Sequence, residues 1–155
     1  MNERPDSPTP VPTEFSAELF YPQGVSASLY CSFLAEIQQW ANVGGAKGFV
    51  HVPDFVLPHY GAEAAFEVSN PVFHVAGCHF NMEDHRRRVA VREYSNSAPD
   101  SQETNMFRRF AALALSGKPD ESWGAMALKT QQVLDACLQS ALAGGQPLDL
   151  ATLRP

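Results

Sequence analysis

The sequence has few of the features that mark metal-binding, secreted and membrane-spanning proteins. Its three cysteines, Cys31, Cys78 and Cys137, are far apart and form no CxxC pair. This argues against a zinc knuckle or a disulfide framework, and it favours a reducing, cytoplasmic location. No apolar run approaches the ~20 residues of a membrane-spanning helix, and the polar, proline-rich start does not resemble a signal peptide. The net charge of -6 gives no general attraction to nucleic acid or to an anionic membrane.

Motifs with a defined chemistry are also missing. Gly44, Gly45 and Gly48 form a GGxxG cluster after a predicted strand. Another strand is predicted to follow, whereas a dinucleotide fingerprint needs a helix whose N-terminus holds the pyrophosphate. The cluster therefore predicts a hairpin turn. No Ser/His/Asp or Cys/His arrangement can be argued from spacing, so we expect no catalytic and no cofactor-binding residue in this chain.

Three histidines lie close together in the sequence and raise the question of a metal site. His74 and His79 are five residues apart, so on one continuous strand their side chains would point to opposite faces. His85 adds no HxH or HxxxH pair. We therefore expect no metal ligands here, and we interpret these residues as surface or hydrogen-bonded histidines.

The one basic run is Arg86–Arg88, with Arg92 nearby. Arginines can hold a carboxylate or a phosphate through bidentate contacts. The weak candidates for an anion or substrate contact are Arg86, Arg88 and His85. Because Glu83 and Asp84 come immediately before the run, a solvated strand edge with local ion pairs is the favoured alternative.

Alternation of apolar and polar residues predicts hairpin-linked strands in the first part of the chain. The predicted strands are Phe15–Tyr21, Val25–Phe33, Ile37–Val43, Phe49–Val52, Ala65–Val68, Val72–Phe80, Arg88–Tyr94 and a short terminal strand at Pro147–Leu150. Residues 1–13 are rich in Pro, Ser and Thr and are expected to be a disordered lead-in. Residues 14–155 are expected to form one domain.

Two helices are predicted after the strands. Asp100 is expected to cap the first, which carries an apolar stripe and ends at Gly117. The second runs from Asp120 to Gly145 with an apolar stripe, which predicts a core helix with Leu134 buried. Strands followed by two helices indicate an α+β fold: an open, mainly antiparallel sheet with both helices on one face.

The sheet face without helices is predicted to be an interface between copies of the chain. Val25, Ala27 and Leu29 would face the helices, and the other face would carry small polar residues around Tyr30. A tight turn near Ala35 would pair Tyr30 with Trp40, and an aromatic pair among small residues is typical of an interface centre. The predicted interface residues are Tyr30, Trp40, Ser28 and Ser32.

The second half of the chain resembles the end of an oxidoreductase of the glucose-fructose oxidoreductase, inositol dehydrogenase and rhizopine-catabolism family (Gfo/Idh/MocA). The residues that carry the resemblance are Gln102, Met106, Phe110, Gly117–Asp120, Thr130–Ala136 and Ser140–Ala141. The segments LFYPQGVSASLYCSF and NVGGAKGFVHVPDF are similar to the family's strands with their GxxG turn. The resemblance covers nearly all of Glu14–Leu150.

The resemblance implies the C-terminal α+β domain of an NAD(P)-dependent enzyme that oxidises a sugar or cyclitol hydroxyl. Such enzymes begin with a Rossmann domain and use a lysine in an EKP motif, and this sequence has neither GxGxxG nor EKP. The expectation is a substrate-side and oligomerisation domain that is not catalytic alone and has a separate Rossmann-domain partner. NAD or NADP would belong to a full-length relative, with no cofactor bound by this chain alone. The alternative is a stand-alone small-ligand-binding or scaffolding module without redox activity.

Overall fold

The computed structural model describes residues 2–3, 11–56, 62–93 and 98–152. The strands are β1 (Asn2–Glu3), β2 (Pro12–Phe20), β3 (Ser26–Ser32), β4 (Ala41–Gly45), β5 (Gly48–Val52), β6 (Glu63–Ala76) and β7 (His79–Arg92). The helices are α1 (Gln102–Ser116) and α2 (Glu121–Leu142), and short 3-10 turns lie at Pro22–Gly24 and Leu150–Thr152. This content confirms the predicted α+β class with antiparallel strands.

The strands form two antiparallel sheets, whereas the sequence pattern predicts one meander. Their orders are β1-β2-β3 and β4-β5-β6-β7. The chain divides accordingly into two compact units, Met1–Glu36 with Asp120–Pro155, and Ile37–Pro119. The first unit contains α2 and the second contains α1. The predicted third strand is displaced, because regular pairing begins at Ala41 and the residue Gln39 before it forms an isolated bridge with Asp54.

In the first unit the two faces predicted for β2 and β3 are confirmed. Phe15 lies opposite Cys31 and Ala17 opposite Leu29, while Tyr30 lies opposite Ser16 on the other face. The connection is a tight turn in which Gln23 and Gly24 take positive φ values of 67° and 75°.

The two ends of the chain differ from prediction where they are described. Asn2–Glu3 pairs with β2, and Pro12 begins β2, which is compatible with proline because the first position of a strand needs no donor. The remaining residues of the predicted disordered lead-in up to position 10 lie outside the described part. The predicted terminal strand at Pro147–Leu150 is wrong, since this segment leads into a 3-10 turn.

Helix α2 is capped by Asp120 as predicted and ends at Leu142, three residues before the predicted Gly145, but it is not a buried core helix. The Asp120 side chain accepts a hydrogen bond from the Ser122 amide at 3.2 Å, and Gly144 and Gly145 take left-handed φ values after the last turn. Among its side chains only Ala136 is buried. The expectation that Leu134 is buried is therefore wrong: its side chain is 58% exposed.

In the second unit, β6 and β7 form one long hairpin where three shorter strands were predicted. Fourteen register pairs run from Glu63 with Arg92 to Ala76 with His79. Gly77, with φ 61°, takes the first position of the two-residue turn that interrupts the predicted strand Val72–Phe80. Pro71 does not break β6, because among the described strands β5 pairs with β6 only as far as Ser69, so no described neighbour on that edge needs a donor from Pro71.

The glycine cluster lies in a hairpin, as predicted. Gly45 pairs with Gly48 at the turn between β4 and β5. Gly48 has a φ of 147°, and a β-carbon at this position would overlap the backbone carbonyl oxygen of Ser69 on the neighbouring strand. Glycine is therefore required here by the close approach of β5 to β6.

Helix α1 is capped one residue later than predicted. The hydroxyl of Ser101, which has no exposed surface, accepts from the Thr104 amide at 3.3 Å. Glu93, the residue after β7, accepts from the Gln102 amide at 2.7 Å and so satisfies one of the free amides of the first turn. The helix ends at Gly117, as predicted, and this glycine takes the left-handed conformation.

Candidate functional site

The two arginines predicted to contact an anion are already paired with carboxylates. Arg86 lies 2.9 Å from an oxygen of Asp84 and 3.4 Å from an oxygen of Glu67. Arg88 lies 2.8 Å from an oxygen of Glu63. All five side chains share one face of the β6–β7 hairpin, because they occupy matching register positions. This ladder of ion pairs agrees with the alternative of a locally paired strand.

The third candidate does not join the other two. His85 lies on the opposite face of the hairpin from Arg86, one register position away. Its Nε2 atom is 3.0 Å from an oxygen of Glu83. The three predicted residues therefore do not converge on one anion.

The most buried polar side chain of the hairpin is Ser69, which reasoning from the sequence missed. It is 1% exposed, and its hydroxyl donates to the Asp84 carboxylate. This hydrogen bond lowers the pKa of Asp84 below its usual value, and the charge of Arg86 acts in the same direction. Because the hydroxyl is bound to a carboxylate instead of a histidine, this is not the nucleophile–base pair of acyl transfer.

The histidines at the tip of the hairpin lie on the same face, so the expectation that they point apart is wrong. His74 lies opposite Asn81 and His79 opposite Ala76, because the turn at Gly77 places the two histidines on different strands. The Cα atoms of diagonal neighbours on paired strands are generally about 7–8 Å apart. Within the described part of the chain, no group of three or more His, Cys, Asp or Glu side chains is arranged to hold a metal ion.

Exposed apolar surface is the feature that distinguishes both units. Among the described hydrophobic residues, Ala136 alone is buried. Large side chains that cores normally enclose are more than half exposed, and they include Phe33, Phe73, Phe80, Met82, Phe107 and Phe110. A domain of this length normally buries about two-thirds of the surface of its unfolded chain. Contiguous apolar patches on a protein mark sites where other molecules bind.

The strand pairing from which an aromatic pair was predicted is wrong. Tyr30 lies in β3, whose described strand neighbour is β2, whereas Trp40 directly precedes β4 in the other sheet. Each ring is more than half exposed. The Tyr30 hydroxyl donates to Glu14 Oε1 at 2.9 Å, and Trp40 Nε1 donates to Gln38 Oε1 at 2.9 Å.

Ser28 and Ser32 share the face of Tyr30 in the first unit. Ser28 is exposed, and Ser32 is half-buried and donates to Glu14 Oε1 at 3.4 Å. Glu14 and Glu18 lie opposite the two serines on β2, so this face carries two carboxylates around Tyr30.

Described residues of the first sheet and of α2 line a larger and a smaller opening. The larger has a volume of about 830 Å³ and is lined by β2, the second half of α2 and the segment that follows. The smaller has a volume of about 400 Å³ and is lined by residues that include Phe15, Leu29, Cys31 and Leu134. Val133 and Cys137 line both. Openings of this size match those of small-molecule sites.

Neither a protein-family model nor a solved structure matches this chain. The resemblance to the Gfo/Idh/MocA oxidoreductases therefore stays a prediction. Within the described residues, no helix combines the length and the apolar character that crossing a membrane requires.

Proposed function

We propose that the chain is a substrate-side and oligomerisation domain like that of the NAD(P)-dependent sugar and cyclitol oxidoreductases, and that it is not catalytic alone. The observation that supports this is the exposed apolar surface of both units, where Ala136 is the one buried hydrophobic residue among those described. Burial of apolar area is the main favourable term in association. A chain with this surface gains stability when another polypeptide covers it.

The cofactor is assigned to a separate polypeptide. Gly44, Gly45 and Gly48 form the turn between β4 and β5, so no helix N-terminus follows them to hold a pyrophosphate. The residues of this turn do not fit NAD or NADP. A Rossmann-domain partner would supply the hydride chemistry, and this chain would supply a wall beside the substrate. We place the chain in the cytoplasm because Cys31, Cys78 and Cys137 are free thiols.

Self-association is assigned to the open face of the first sheet, with Tyr30 at its centre and Ser28 and Ser32 beside it, and to Trp40. The exposure of both aromatic rings supports this assignment. Glu14 and Glu18 lie on the face of Tyr30 and would repel their counterparts in a second copy. We therefore expect this contact to strengthen as salt screens the carboxylates.

Two measurements on the purified chain test the proposal. Calorimetric titration with NADH and with NADPH should give no saturable binding, with an intact Rossmann-fold dehydrogenase as the positive control. Sedimentation should show self-association that Tyr30→Glu with Trp40→Glu weakens. The control is Tyr21→Glu, which adds one of the two negative charges of the double variant, at an exposed aromatic ring in the turn after β2. Saturable micromolar binding of either nucleotide would contradict the proposal.

A second candidate function is a stand-alone module that binds a small apolar ligand. The two openings beside α2 favour it, because the smaller one is lined mainly by apolar side chains from both α2 and the sheet. The fluorescent fatty acid cis-parinaric acid is a suitable probe. Val133 lines both openings, so Val133→Trp should obstruct them and weaken saturable binding, whereas Leu128→Trp, on α2 but outside both linings, should preserve it.

A further inference from the structure

We infer that the distal half of the β6–β7 hairpin is a contact surface between two copies of this chain. This segment, called the arm here, comprises residues 72–83. Within the described strands β6 has β5 as a neighbour only as far as Ser69, so the arm is a two-stranded ribbon with both edges free. A two-stranded ribbon alone is marginally stable in water, and a covering surface stabilises it.

One face of the arm is apolar. Phe73 lies directly opposite Met82, and Val75 lies directly opposite Phe80, so the four side chains project from the same face. The rings of Phe73 and Phe80 are in tilted contact, with centroids 6.0 Å apart. The four side chains are between 59% and 73% exposed. They form the arm's apolar face.

The character of the hairpin faces inverts near Pro71. Toward the base of the hairpin, the face that carries Phe73 instead carries Ser69, Arg86 and the other ion pairs. At the arm, the opposite face carries polar groups, of which His74 and Asn81 form one register pair. An apolar patch confined to one face of the tip is therefore a local feature of the arm and not a continuation of an apolar sheet face.

A second copy of the arm is the occupant that this surface fits. The apolar face carries no charge, so two copies related by a twofold axis bring no like charges together. This differs from the face of Tyr30, where Glu14 and Glu18 would meet their counterparts. The four side chains expose on the order of 500 Å² in one copy, so two copies in contact would bury about 1,000 Å². That area is at the lower limit for a specific interface, and we expect a dissociation constant in the micromolar range or weaker.

The arm contact does not rest on the proposed function. It uses residues of the second unit, whereas Tyr30, Ser28 and Ser32 belong to the first. Substitutions in the two surfaces therefore distinguish the two contacts. If Tyr30→Glu alone weakens self-association, the open sheet face forms the contact. If the arm variant weakens it, the arm forms the contact.

Sedimentation velocity over a range of loading concentrations tests the inference. The double substitution Phe73→Ser with Phe80→Ser removes both rings and should weaken self-association by about tenfold or more. The matched control is His74→Ser with Asn81→Ser, which changes the same two strands on the opposite face and should leave association unchanged. Equal association of both double variants and the wild type overturns the inference, as does a wild type that stays monomeric at high micromolar concentration.

A spectroscopic measurement tests the inference with both phenylalanine rings in place, so its result does not depend on whether the variant with Phe73→Ser and Phe80→Ser folds. Cys78, in the turn at the tip, is exposed and takes a spin label once Cys31 and Cys137 are replaced by serine. Dipolar spectroscopy should then report a defined intermolecular distance between the tips. The absence of any intermolecular distance overturns the inference. Binding of the arm to phosphatidylcholine vesicles by a monomeric chain would also overturn it, in favour of a membrane surface.

Discussion

At Gly48 the backbone of β5 passes close to β6, and the cross-strand neighbours leave no room for a side chain. A β-carbon would overlap the Ser69 carbonyl and lie 2.8 Å from Asn70 Nδ2, and the φ of 147° is itself unfavourable for any other residue. We expect Gly48→Ala to lower the free energy of unfolding by roughly 2–4 kcal/mol in urea titrations.

Gly44, on the strand before the same turn, is the matched control for Gly48. A β-carbon at Gly44 would have no neighbouring atom within 4 Å, and its φ is not positive. Gly44→Ala should change the free energy of unfolding by less than about 1 kcal/mol. If both substitutions lower the free energy of unfolding equally, β5 does not approach β6 as closely as the structure shows.

The bond between Ser69 and Asp84 gives the hairpin a pH dependence. The hydrogen bond lowers the folded-state pKa of Asp84, so its contribution to stability is present above the usual pKa and is lost as the pH falls through the lowered value. We expect Ser69→Ala to raise the pKa of Asp84 toward its usual value of about 4, as measured by carboxyl NMR titration. Ser28→Ala, in an exposed strand position, should leave that titration unchanged. An Asp84 titration that is the same in both variants contradicts the assigned bond.

At the scale of single elements, the residue that caps α1 in the structure differs from the residue that the sequence predicts. Ser101 accepts from the Thr104 amide, whereas the sequence pattern predicted Asp100 as the cap. Ser101→Ala should lower the free energy of unfolding by about 0.5–2 kcal/mol, and Asp100→Ala should change it by less than about 0.5 kcal/mol. If Asp100→Ala lowers the free energy of unfolding more than Ser101→Ala does, Asp100 and not Ser101 is the cap.

The elements that sequence could predict are those with local signals. Alternation places β2 and β3 within a few residues of their ends, and Asp120 caps α2 as its position suggests. The long hairpin was missed because Pro71 suggests a break and because Gly77 with Cys78 is not one of the strong hairpin turns. The face shared by His74 and His79 follows from that turn, so it was missed for the same reason.

At the scale of the whole molecule, the α+β class follows from the order of strand and helix patterns, but the division into two sheets does not. Strand pairing depends on contacts between distant residues, which a periodic pattern does not encode. The same limit applies to the charged ladder. Asp84 could be predicted as a partner of Arg86 from its position, whereas Glu67 comes from the opposite strand, nineteen residues away.

The burial of side chains was the largest departure from prediction. Periodicity correctly identified an apolar stripe on α2, yet Leu134 is mostly exposed. An apolar stripe predicts that a side chain will be covered by something, and it does not distinguish the chain's own sheet from a second polypeptide. We propose that a second polypeptide provides much of that cover.

Amide hydrogen exchange at low and at high protein concentration tests this central claim most directly. If the exposed apolar surfaces are covered by association, protection of β3 and of the arm at residues 72–83 should rise with concentration, while the turn at Pro22–Gly24 should exchange equally at both. Protection that is independent of concentration in β3 and in the arm would contradict the claim.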